Sequence, residues 1–125
     1  MAKSTERYVD GFVMVIPRQN LAAYRKMATE ASKVWKKHGA LDYKECAGED
    51  LKKTECSVPF SQMMKLKPGE TVVFAYIVFK SRAHRDQVNA KVMQDPRLAA
   101  SMKDKPMPFD MKRMVYGGFK VLVDA

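Results

Sequence analysis

Two strand-length runs that are apolar on both faces, a long amphipathic helix between them and a capped helix after the second predict an α+β fold. The clearest run is Val72 to Phe79, VVFAYIVF, rich in β-branched and aromatic residues and bracketed by Pro68-Gly69 and Ser81. Side chains alternate along a strand, so Val72, Phe74, Tyr76 and Val78 point one way while Val73, Ala75, Ile77 and Phe79 point the other. Both faces therefore need cover. Helices supply it on one side, and a second copy of the chain is the expected cover on the other.

Tyr8 to Ile16 is the first strand. Tyr8, Phe12, Met14 and Ile16 share a face with Asp10, while Val9, Val13 and Val15 share the other with Gly11. Asp10 is the polar exception, either a strand-start residue near solvent or a carboxylate at the rim of a pocket. After Pro17, Asn20 is the expected N-cap of a helix over Leu21 to His38, closed by Gly39. Its stripe is Leu21, Tyr24, Ala28, Ala31, Trp35 and His38, widened by Met27 and Val34. Tyr24 and Trp35 read as core, and His38 as a last-turn residue favoured by the helix dipole.

Ala40 to Cys46 alternates as an edge strand does, with Leu41, Tyr43 and Glu45 on one face and Asp42 and Lys44 on the other. The segment Ala47 to Lys67 is too long for a plain turn, and its apolar cluster at Pro59-Phe60 and Met63-Met64 fits a short helix or an extra strand equally. Segments of this length serve as lids or partner contacts. Past the central strand, Ser81 caps a helix over Arg82 to Gln94, and Asp95-Pro96 starts a short helix through Lys103. Asp104 to Asp110 is a proline-stiffened connection into a last strand, Arg113 to Val123, whose Gly117-Gly118 pair marks a bulge or a close approach to the backbone. The order β-α-β-β-α-β is that of a ferredoxin-like sandwich: an antiparallel four-stranded sheet with helices on one face.

The 125 residues make one domain, and 46% hydrophobic and 30% charged residues are globular proportions. Met1 to Arg7 is polar, and the longest apolar run falls short of the roughly 18 residues of a membrane helix, so a cytoplasmic protein with no membrane partner is expected. Cys46 and Cys56 are then reduced thiols rather than a disulfide. A net charge of +9 raises nucleic acid as a partner. Its distribution argues against it: Arg25, Lys26, Lys33, Lys36 and Lys37 decorate one helix as a solvated face, and the aromatic residues lie mostly in apolar strands rather than interleaved with surface basic residues.

Candidate chemistry gathers at the start of the second long helix, in Arg82, His84, Arg85, Asp86, Asn89 and Lys91. Helical spacing puts Arg82, Arg85, Asp86 and Asn89 on one side and His84, Val88 and Lys91 on another. Local pairing of Arg82 with Asp86 and Arg85 with Asn89 is one reading. The other is an anionic ligand held by the helix N-terminus, Arg85 and His84, with His84 neutral. Arg113, Lys112 and Tyr116 join the same pocket or close the preceding loop. Under the ligand reading, alanine at position 84 or 85 leaves melting near normal and weakens binding about tenfold at one of them. No metal spacing, phosphate loop, dinucleotide glycine pattern or serine elbow is visible, so neither metal nor cofactor is expected.

The segments YVDGFVMVIPRQNLAAYRKMA, ALDYKEC, ETVVFAYIVFKSRAHRDQVNAKVMQDPR and MPFDMKRMVYGGF resemble the bacterial DUF1428, or YbaA-like, family over nearly the whole chain. The resemblance implies the dimeric α+β barrel superfamily, with its cofactor-independent monooxygenases, lactone isomerases, haem-degrading enzymes and small stress proteins. The family itself has no established activity. LKKTECSVPFSQMM, at Leu51 to Met64, departs from the family's acidic, proline-containing turn. Three function classes follow: a homodimer binding a small, anionic molecule; a cofactor-independent oxygenase or isomerase, with His84 or Asp10 as its catalytic group; and a nonspecific RNA binder. An apolar void beside His84 or Asp10 is the mark of small-molecule chemistry.

Overall fold

The computed structural model describes residues 6–103 and 106–125. Strand β1 (Tyr8–Pro17) leads through a 3-10 turn (Arg18–Asn20) into α1 (Leu21–Lys37). Next come β2 (Asp42–Ala47), the one-turn helix α2 (Phe60–Met63) and β3 (Glu70–Phe79). Helices α3 (Arg82–Gln94) and α4 (Pro96–Met102), a 3-10 turn (Met111–Arg113) and β4 (Val115–Lys120) complete the chain. The strands pair antiparallel in the order β2-β3-β1-β4, the ferredoxin-like arrangement, with the two apolar strands in the middle. Of the expected proline-stiffened connection, Asp104 and Lys105 lie outside the described residues, as do residues 1–5.

Helices α1 and α3 cover the face carrying Tyr8, Met14, Ile16, Val73, Ala75, Ile77 and Phe79. Two core clusters form there. One joins Val34, Phe79, Val88 and Val92; the other joins Ile16, Tyr24, Ala28 and Val73. Phe79 is fully buried, which stabilises the fold by about 1.5–3 kcal/mol. Phe12 touches both clusters, and Ala28 of α1 and Ala75 of β3 are too small to fill the space beside it. The opposite face of the sheet is left more open. Phe74, Val115 and Phe119 stand exposed on it, while Val15 and Val72 are buried at the end where Gly48 N–H donates to the Val72 carbonyl.

Ser81 Oγ accepts from the His84 amide and Asp95 from the Arg97 amide, as the sequence predicts. Asn20 differs. Its side chain makes no cap bond, because a 3-10 turn feeds directly into α1; its Nδ2 instead donates to the Pro108 carbonyl at 2.9 Å. Helix α1 ends at Lys37, and Gly39 turns the chain in the left-handed region at φ +118°. Of the two forms expected for the Ala47 to Lys67 segment, the short helix is the one formed, a single turn at Phe60–Met63, with an isolated bridge between Thr54 and Ser57 ahead of it. The last strand is shorter than expected, since Met111–Arg113 form the 3-10 turn and the chain leaves the sheet after Lys120.

The Gly117-Gly118 pair marks close approach rather than a bulge, for the β1–β4 register runs without a break. A Cβ on Gly118 would collide with the Tyr8 ring and hydroxyl. Gly118→Ala is expected to cost about 1–3 kcal/mol by forcing that buried ring aside. A chemical denaturation midpoint equal to that of the unsubstituted protein would contradict it.

Asp95 does more than cap α4. It accepts from Arg97 Nη2 at 2.9 Å and from His38 Nε2 at 2.7 Å, so His38 anchors the end of α1 to α4 by a hydrogen bond rather than serving the helix dipole alone. The Arg97 side chain and amide, then His38, hold the Asp95 carboxyl well below the usual carboxylate range. A depressed pKa contributes stability that is present above the ordinary carboxylate range and lost as pH falls through it. Melting measured between about pH 5 and about pH 3 should therefore decline less steeply in Asp95→Asn than in the unsubstituted protein.

Candidate functional site

The unfilled space beside Phe12 opens into a cavity of about 570 Å³ between the sheet and the helices. That volume lies within the range of small-molecule sites. Seven of the chain's ten methionines line it, including Met14 and Met114 on the inner side and the exposed Met93, Met107 and Met111. Unbranched thioethers adapt to irregular apolar ligands. Aromatic walls come from Phe12, Tyr24, Trp35, Tyr43, Phe109 and Tyr116. Tyr24 and Trp35, read from the sequence as core, thus also line the cavity.

One polar group on its wall is Asp10. It projects from β1 on the helix side and is 1% exposed, so the solvent-near reading of the sequence does not hold. Arg85 Nη1, from the first turns of α3, donates to Asp10 Oδ1 at 2.6 Å and to the Tyr116 hydroxyl at 2.8 Å. Arg85 Nε donates to Asp86 at 2.8 Å, and the guanidinium lies 4.9 Å from the centre of the Tyr8 ring. Asn89 Nδ2 donates to Asp10 Oδ2 at 3.3 Å, and the Trp35 indole N–H donates to Asn89 Oδ1 at 3.0 Å. Burial opposes the charge on Arg85, but the bond to Asp86 and the charge of Asp10 outweigh it and raise its pKa. Burial first, then Asp10, pushes the Tyr116 phenol up, which keeps it neutral.

Five predicted residues, Asp10, Arg85, Asp86, Asn89 and Tyr116, therefore come together, though not by the predicted local pairs. Asp10 takes the place of a helical neighbour. Two predicted residues lie elsewhere. His84 Nδ1 accepts from the Lys80 amide at 3.0 Å, and its other ring nitrogen faces the Gly39 turn, away from the cavity. Burial, then Lys80 and Lys91, lowers its pKa, a shift toward the neutral form, but in a structural position. Arg113 binds Glu70 at 2.7 Å and the carbonyl of Lys65 at 3.0 Å, closing the loop after α2 at the far end of the sheet. The anionic site expected at the helix start meets a physical obstacle, since Arg85 already serves two carboxylates.

Sequence reasoning missed Glu45, which it read only as an alternating edge-strand residue. From β2, opposite Ala75, it reaches inward, and its two oxygens accept from Tyr24 at 2.6 Å and Tyr43 at 2.9 Å. Burial raises its pKa, and burial together with Glu45 raises both tyrosines. The one signal available was its place on the same face as Leu41 and Tyr43, the face that turned inward. Glu45, Tyr24 and Tyr43 also line an outer groove of about 580 Å³ between α1 and β2, so the three side chains form a partition between two spaces.

Comparison with known proteins agrees with this architecture. Over 120 residues, spanning 94% of this chain and 98% of the relative, the sequence is 42% identical to uncharacterized protein YbaA of Escherichia coli K12. The same identity and coverage hold for YbaA of Shigella flexneri. A crystal structure of a NIPSNAP family protein with unknown function from Agrobacterium tumefaciens superposes with a TM-score of 0.55 at 15% identity, covering 95% of this chain and 91% of that one. That likeness shows the shared α+β fold. With residues 7–111 matching the family described as "Protein of unknown function (DUF1428)", the chain belongs to the DUF1428 family.

Proposed function

We propose that this protein binds a small, largely apolar molecule in the cavity between sheet and helices, as a homodimer joined through the open face of its sheet. The observation that carries the reading is the cavity itself, whose volume and apolar lining with a few polar groups are those of small-molecule sites. Its methionine and aromatic walls suit an apolar body, and the buried Asp10 and partly buried Glu45 suit a polar end. Among the described residues no helix is long and apolar enough to cross a membrane.

A second reading, a cofactor-independent oxygenase or isomerase, draws on one observation, a buried carboxylate on the wall of an apolar void. Arg85 and Asn89 occupy both Asp10 oxygens, so Asp10 is better suited to fixing the wall than to accepting a proton. Binding is the reading the geometry favours.

The test is incubation of the purified protein with a cell-extract metabolite pool, followed by mass spectrometry of what is retained. Ala31 faces the cavity, and Ala31→Trp fills it. The unsubstituted protein is expected to enrich a defined apolar compound that Ala31→Trp does not. No enrichment, or equal enrichment by a folded Ala31→Trp, would overturn the proposal.

A further inference from the structure

The cavity wall carries the wrong charge for this chain. In a protein of net charge +9, the residues lining it include two acids, Asp10 and Glu45, and, among the described residues, no lysine, arginine or histidine. Asp10 is neutralised from behind by Arg85. Glu45 is not. The other carboxylates held in the interior or under loops have a cationic partner: Arg85 for Asp10, Arg113 for Glu70, Arg97 for Asp95. Glu45 has only two neutral phenols, and no ion pair among the described residues.

A partly buried carboxylate without a counter-charge is costly unless something else supplies one. The surroundings say what fits. Four aromatic rings line the same cavity, Trp35 and Tyr43 6.1 Å apart and Tyr24 and Phe109 5.7 Å apart, edge-on. Aromatic faces attract cations. Resting on the reading that this cavity binds a small molecule, we propose that its ligand is an apolar amine, bound as the ammonium ion. The N–H groups donate to Glu45 between Tyr24 and Tyr43, and the apolar body lies along the methionines.

Other groups face Glu45. Tyr24 on α1 and Tyr43 on its own strand donate to it, Arg25 on α1 and Cys46 on β2 line the outer groove, and Asp10 and Tyr116 stand across the cavity. Because burial raises the pKa of Glu45, the amine should bind progressively more weakly as pH falls and the carboxyl protonates.

Calorimetric titration of the full chain with hexylamine, hexanol and hexanoate, and with 2-phenylethylamine, 2-phenylethanol and phenylacetate, tests this. Each amine is expected to bind at least about tenfold tighter than its alcohol, and each carboxylate more weakly than either. Glu45→Gln, which keeps a hydrogen-bonding side chain and should melt no lower, is expected to lose at least about tenfold for the amines and less than about twofold for the alcohols. Alcohols that bind as tightly as amines, or amine affinity unchanged in Glu45→Gln, would overturn the amine assignment while leaving the cavity reading intact. Failure of every probe to bind would overturn both.

Discussion

Arg85→Met is expected to lower the melting temperature by about 10–20 °C, corresponding to a loss on the order of 3–5 kcal/mol. The Arg85 side chain is 12% exposed and that of Asp10 is 2%, so this pair is shielded from the solvent screening that makes surface pairs weak. Removing the guanidinium leaves the Asp10 carboxylate buried without its ion pair, with the long 3.3 Å bond from Asn89, and it strips the Tyr116 hydroxyl of its donor. Pairing Asp10→Leu with Arg85→Met removes both charges and should recover most of the loss, because the cost lies in the orphaned charge rather than in the missing bond. Thermal melts of the two single variants and the double variant decide it. A single variant melting within a few degrees of the unsubstituted protein would show the pair to be dispensable. Near-normal melting is what the sequence alone leads one to expect of Arg85 when it is read as a ligand-binding residue.

The largest effect on assembly is expected from Phe119→Lys. Phe119 is 59% exposed, lies across Gly11 and Gly117 and shares the open face with Phe74, Val115 and the half-buried Val9 and Val13. A two-stack arrangement of such faces buries at least about 1,200 Å² in total, enough for a stable pair. Sedimentation should find the unsubstituted protein dimeric at micromolar concentration. One lysine per copy on that face should raise the dissociation constant at least about a hundredfold, as loss of a hot-spot aromatic does. A monodisperse monomer before substitution would sink the dimer.

The sequence alone determined the elements, because what defines them is local. Period-two alternation with apolar residues on both faces marks β1 and β3 as central strands, and Ser81, Asp95-Pro96 and Gly39 mark helix ends within a few residues of where the backbone turns. The ferredoxin-like order follows from those elements taken in turn. Tertiary structure alone decided which polar residues meet. Asp10 and Arg85 are 75 positions apart, and helical spacing offered Arg85 only nearer partners. Glu45 alternates with Lys44 as any edge residue would, and its pairing with Tyr24 appears only once β2 lies beside α1. His84 and Arg113 carry the right chemistry for a site, yet their backbones point them at Lys80 and at Glu70. Periodicity reports which face a side chain takes relative to its own element. It carries no information about what the neighbouring element brings to that face, so the cavity and its unmatched carboxylate became visible only when sheet and helices were packed together.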